Sequence, residues 1–115
     1  MTVYEGRSRT IEFAVLANGR IPALRSWKKL EDRPKAQLWT TIKRLGDTGE
    51  VRNTERFKLE ADGIWAMKAW KVRAYCYMTS DARVVITNIV AKKQIVARAS
   101  DLDTAKRIRS ECLNG

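Results

Sequence analysis

Apolar residues at Ile11, Phe13 and Val15 alternate with Glu12 and Ala14, the two-residue period of a half-buried strand over about residues 10–16. Asn18-Gly19 ends that strand as a turn. The period then lengthens. From Pro22 the apolar positions are Leu24, Trp27 and Leu30, and after Asp32 and Pro34 they return at Leu38, Ile42 and Leu45, ahead of Gly46 and Gly49. Steps of three and four predict two helices joined as a hairpin. Asp32 is the expected N-cap with Pro34 in the first turn, because a carboxylate accepts from a free helix N–H while proline has none to lose.

From Phe57 the period returns to two: Phe57 and Leu59, the turn Asp62-Gly63, then Ile64 to Ala69 and Trp70 to Thr79. In the last of these, Trp70, Val72, Ala74, Cys76 and Met78 form a face expected to pack. Lys71, Arg73, Tyr75, Tyr77 and Thr79 form a face expected to stay open. After Ser80-Asp81, Arg83 to Val90 is apolar at nearly every position, as in a central strand covered on both sides over part of its length. Ser100 or Asp101 can cap a last helix with Leu102, Ala105, Ile108 and Cys112 on one stripe. The expected order is β-α-α-β-β-β-α. This is an α+β fold: an antiparallel sheet with the helical hairpin on one face, a C-terminal helix, and Arg73 with its neighbours displayed on the other face. The first ten residues and the last three are expected to fray.

A length of 115 residues makes 1–115 a single domain, and 44% hydrophobic residues supply a core. The longest stretch without a charge, Val84 to Ala91, is far short of the roughly 20 apolar residues a membrane helix needs. Glu5 and Glu12 interrupt the N-terminal region where a secretory signal would be apolar, so a cytoplasmic protein is expected. Cys76 and Cys112 are too few for a disulfide framework, and with no histidine in the chain neither zinc nor a histidine-based nucleophilic system is expected. Cys76 reads as buried and inert. Trp27, Trp39 and Trp65 fall on or beside apolar stripes and read as core or interface residues.

Charge changes the picture most. Lys and Arg exceed Asp and Glu by 23 to 13, a net +10 that favours polyanionic partners. Residues 63–98 hold seven of the cations (Lys68, Lys71, Arg73, Arg83, Lys92, Lys93 and Arg98) against the single acid Asp81. A basic surface kept only for solubility is the competing reading. Membrane binding would call for a basic amphipathic helix, whereas these charges fall on strands.

The run Gly63-Ile64-Trp65-Ala66-Met67-Lys68, then Val72-Arg73-Ala74-Tyr75-Cys76-Tyr77, the strand 84–90 ending in Lys92-Lys93, and a helix with Leu102 and Ala105 together resemble the RelE/HigB toxin family, in its phage-derived HigB-like branch of the RelE/ParE superfamily. The resemblance covers about residues 11–112 and is strongest over 57–107. It implies the toxin of a type II toxin–antitoxin pair: a metal-independent, cofactor-free endoribonuclease that cuts mRNA on the ribosome and is held inactive by a helix-turn-helix antitoxin. In the family pattern Lys68 stands at the arginine of the first motif, Arg73 at the arginine of the second, and Lys92 and Lys93 at the paired lysines. Asn88 replaces a frequent histidine, Val90 the aromatic residue after it, and Ala66 a glutamate. The alternative within the same fold is a toxin aimed at DNA gyrase, or a binding protein without nuclease activity.

RNA is cut without metal when its own 2′-OH attacks the adjacent phosphate, given a proton acceptor, cations beside the phosphorane and a proton donor for the leaving 5′-oxygen. Arg73 is the first candidate for the phosphorane, since a guanidinium binds two phosphate oxygens at once. Lys68, crowded by cations that lower its pKa, is the candidate acid or base. Lys92 joins these two as catalytic. Lys93, Lys71 and Arg83 are candidate phosphate contacts and Asn88 a further RNA contact, while Tyr75 and Tyr77 are candidate stacking platforms for unpaired bases. The structural reading stands beside each: a solvated or ion-paired strand cation, an edge-strand charge guard at Lys92 and Lys93, and packing tyrosines.

Overall fold

A computed structural model describes residues 1–92 and 97–114. In chain order the elements are β1 (Thr2–Glu5), β2 (Thr10–Phe13), α1 (Pro22–Lys28), α2 (Asp32–Thr48), β3 (Phe57–Ala61), β4 (Ile64–Ala69), β5 (Val72–Met78), β6 (Arg83–Ala91) and α3 (Ala99–Asn114). The strands form one six-stranded sheet in the order β1-β2-β6-β5-β4-β3. The class is α+β, as the periodicities predict. Among the described residues no helix is long and apolar enough to cross a membrane.

Three features depart from the expectation. The sheet is mixed: β2 runs parallel to β6 from Thr10↔Arg83 to Phe13↔Ile86, while the other neighbours are antiparallel. Parallel neighbours need a long crossover, and the helical hairpin with β3 to β5 supplies it. Four strands, not three, follow the hairpin, because the short alternation from Phe57 forms β3 in its own right. The N-terminus is an edge strand and does not fray: β1 pairs with β2, and the Tyr4 hydroxyl donates to the Asp47 carboxylate at 2.8 Å. β2 itself stops at Phe13, although the Ala14 N–H still reaches the Ile86 carbonyl at 2.9 Å.

The helical hairpin matches its prediction. Glu31, not Asp32, occupies the N-cap position of α2, without a side-chain cap bond, and Asp32 lies in the first turn, where its charge complements the helix dipole. Ala23, Leu38, Ile42 and Leu45 pack onto Ile11, Phe13, Met67, Ala74, Cys76, Val84 and Ile86. Trp65 stacks on Phe57 with ring centroids 4.7 Å apart, and Trp27 packs at the edge of this core. Burial drives the Cys76 thiol pKa far up, so it stays protonated.

The second face of the sheet is covered as well. Ala105 and Ile108 of α3, flanked by Leu102 and Cys112, pack on Ile64, Ala66, Tyr75, Tyr77 and Val85. β5 is therefore buried along both faces, and the open face expected beside Arg73 does not exist over most of its length. An amphipathic helix with a four-residue apolar stripe must bury it somewhere, and this face is where the chain delivers it.

Gly6 is where the N-terminal hairpin meets α2. A Cβ there would lie 2.1 Å from the Gly46 carbonyl carbon, and the N–H groups of Ser8 and Arg9 both donate to that carbonyl's oxygen at 2.8 Å. Gly6→Ala is expected to cost about 1–3 kcal/mol by forcing this contact apart. Thermal melting should show the loss, and proteolysis should quicken at residues 1–9. An unchanged melting temperature would mean that β1 is not held by this approach.

Candidate functional site

β4 and β5 are joined by Trp70 and Lys71, with Lys71 at a φ of 61°. The tight return places Lys68 directly opposite Arg73, and on the other side of β5 Arg73 stands opposite Val90. One residue beyond β6, the Lys92 N–H donates to the Lys71 carbonyl at 2.8 Å. Consecutive antiparallel strands thus bring Lys68, Arg73, Lys71 and Lys92 to one end of the sheet. The two-residue alternation puts Lys68 and Arg73 on the face that carries Ala66 and Tyr75. Edge strand β3 adds Lys58, paired with Ala66, and then Glu60 on the same side.

The charges act on one another. Partial burial holds the Lys68 ammonium below the usual lysine range; Glu60 opposes this, and Lys58, Arg73 and Lys92 push it further down. Arg73 itself is only 2% exposed. Burial raises the Tyr75 pKa, and the Arg73 guanidinium beside it pulls the other way.

A cleft of about 270 Å³ opens at this end of the sheet, lined by the cations Lys68, Lys71, Lys92, Arg33 and Arg56 and by Trp70, Gln37 and Glu55. Trp70 is held in place by its backbone N–H, which donates to the side-chain oxygen Oε1 of Gln37 at 2.6 Å. Its ring carries the Arg33 guanidinium at 4.6 Å and the Lys71 ammonium at 4.4 Å from the centroid, a paired cation–π arrangement. Among the described residues no three His, Cys, Asp or Glu side chains converge as a metal site would require. The chemistry on offer is that of ammonium and guanidinium groups beside a carboxylate.

Lys68, Arg73, Lys71 and Lys92 therefore gather; Tyr75 lies beside Arg73 but is buried, and Tyr77, Asn88 and Arg83 do not join them. Tyr75 is 0% and Tyr77 5% exposed beneath α3, so neither ring is open for the base stacking expected of it. Asn88 is buried too: its amide accepts from Thr87 Oγ at 2.6 Å and donates to the Asp101 carbonyl at 3.4 Å, which ties the start of α3 to the sheet. It is a structural link and not an RNA contact. Arg83 sits at the opposite end of β6, roughly 30 Å from Lys92 along the strand. There it pairs with Asp81 at 3.1 Å and Glu12 at 3.5 Å. Lys93 lies outside the described residues.

Arg33, Arg56, Lys58, Glu60 and Trp70 also belong to this end of the sheet, although the sequence does not single them out. Lys58 and Glu60 alternate with Phe57 and Leu59, so the signal for a polar face was present in β3. Trp70 falls on the packed face only if the β5 alternation is extended two residues back through the turn, whereas β5 begins at Val72. No protein-family model matches this chain, and no curated protein does.

Proposed function

We propose that this protein cuts single-stranded RNA without metal at the Lys68–Lys92 cleft, as a ribosome-associated mRNA endoribonuclease of the RelE/HigB kind, acting in the cytoplasm as the toxin of a type II pair. The observation that carries the reading is the meeting of Lys68, Lys71 and Lys92 around one cleft, with Arg73 buried opposite Lys68 and Glu55 as the single carboxylate of the lining among the described residues. A lysine with a lowered pKa can exist as the free amine that takes a proton from the ribose 2′-OH. The 2′-oxygen then bonds to phosphorus and the bond to the 5′-oxygen breaks. The exposed ammonium groups of Lys71 and Lys92 neutralise the phosphorane, and a protonated neighbour supplies the proton to the leaving oxygen. The products are a 2′,3′-cyclic phosphate and a 5′-hydroxyl. An acidic segment of a helix-turn-helix antitoxin laid over these cations would exclude RNA.

The burial of Arg73 favours a second reading, an RNA-binding member of the same fold that does not cut, because a guanidinium shut away from solvent is badly placed to grip a phosphate. Mapping transcript 5′ ends after induced expression separates the two. New 5′-hydroxyl ends inside coding regions are expected from cleavage, whereas growth arrest without such ends would support binding alone.

A further inference from the structure

A second cavity, of about 370 Å³, lies between α2 and the segment 51–56, next to the cleft described above. The two share Gln37 and Arg56 as a common wall. Its floor on the helix side is one stripe: Gln37, Thr40, Thr41 and Arg44 follow at steps of three, one and three along α2, and Arg33, one turn before Gln37, continues the stripe into the first cleft. Arg52 and Arg56 face it from the loop side, so three guanidiniums line the cavity, and among the described residues no carboxylate does. Arg52 pairs with Glu50 at 3.0 Å with both side chains exposed, a contact that water and salt readily replace. Neither Arg44 nor Arg56 takes part in an ion pair among the described residues. The carbonyl of Gln37 is spent on Trp70, which leaves the two donors of its amide group for a ligand.

We infer that this groove binds the nucleotides of a single-stranded RNA next to the one held in the Lys68–Lys92 cleft, an inference that rests on the function proposed above. From Arg33 to Arg44 the helix advances about 16 Å, which accommodates two to three successive nucleotides. The cavity has the size of a small-ligand pocket. Guanidiniums serve backbone phosphates, while the Gln37 amide and the neighbouring Asn53 offer polar contacts of the kind that meet ribose and base edges. An acidic peptide could use the arginines but has no need to continue into the cleft of Lys68, Lys71 and Lys92, and this continuity favours RNA.

The test compares a fully 2′-O-methylated RNA octamer, which cannot be cut, with the matching trimer, on wild type and on an Arg44→Ala/Arg52→Ala double variant. Neither arginine lines the first cleft. The double variant is expected to bind the octamer at least tenfold more weakly and the trimer within twofold of wild type. Loss of two phosphate contacts should also make the dependence of log affinity on log salt shallower by about 1.4 for the octamer. Octamer affinity within twofold of wild type, or an equal loss for both lengths, overturns the inference; so does a groove occupied by a Glu-rich peptide that the octamer cannot displace. The outcome is separable from the nuclease reading. A protein that cuts transcripts but ignores these substitutions refutes the groove alone, and one that binds the octamer through both arginines yet cuts nothing upholds the groove and refutes the nuclease.

Discussion

Lys68→Met is expected to lower RNA cleavage by about 10²–10⁴-fold, the usual contribution of a placed proton-transfer group, with the protein still folded. The sign of the lysine's own stability contribution makes this a clean experiment. Burial and the cations around it lower the Lys68 pKa in the folded chain. Below that lowered value both folded and unfolded chains are protonated, and the fold bears the whole cost of holding the charge. The cost fades as pH rises from the folded pKa to the unfolded one. At neutral pH Lys68 therefore opposes folding, and Lys68→Met should melt at or above the wild-type temperature. A loss of cleavage in this variant cannot be ascribed to unfolding.

The pH profile carries the same argument further. If the free amine is the base, wild-type cleavage should rise about tenfold per pH unit below the Lys68 pKa and then level off. Lys68→Arg keeps the charge but has no accessible free base, so its cleavage should be low and should lose this rise. A Lys68→Arg enzyme with the wild-type profile would remove Lys68 from the proton transfer and leave it as a phosphate contact. Glu60, on the same side of the neighbouring strand, would then be the next candidate for the base.

Much of the fold is legible in the periodicity, because each period reports a local geometry: two for the strands from Phe57 onward, three and four for α1 and α2. What the periodicity cannot report is which element covers which face. The alternation in β5 separates Arg73, Tyr75 and Tyr77 from Val72, Ala74 and Cys76, but both sets are buried, one under the helical hairpin and one under α3. The stripe of Leu102, Ala105, Ile108 and Cys112 shows that the last helix must bury one side, but not which apolar surface it covers. Tyrosine and arginine hide this, since either can lie on a wet face or under a helix with its polar end satisfied. The N-terminal strand was missed for a different reason: its four residues carry little apolar pattern, and a close approach of Gly6 to Gly46 and the Tyr4–Asp47 hydrogen bond hold it down. The candidate site was half legible. Lys68, Lys71, Arg73 and Lys92 are placed by strand pairing alone, and Arg56 by the Lys68 N–H that donates to its carbonyl at 2.8 Å, whereas Arg33 comes to the cleft only through tertiary packing.

Arg73→Ala, the obvious test of a catalytic arginine, is expected to mislead. A side chain this large and 2% exposed leaves a cavity when truncated, at a cost of about 2–5 kcal/mol, a large part of the 5–15 kcal/mol that holds a domain of this size together. Relief of growth arrest by Arg73→Ala would then report loss of folded protein. Arg73→Met retains most of the volume and dispenses with the buried charge, so it should lose less stability than Arg73→Ala, as thermal melting can verify. It also removes one of the three cations that depress Lys68. The Lys68 pKa should consequently rise, and the cleavage profile of Arg73→Met should move to higher pH, with a plateau close to that of wild type. That result assigns Arg73 to positioning and tuning Lys68 from the neighbouring strand. A plateau reduced a hundredfold or more with the profile unmoved would instead mean that the guanidinium reaches the phosphate during the reaction, and that the sheet end opens far enough to let it.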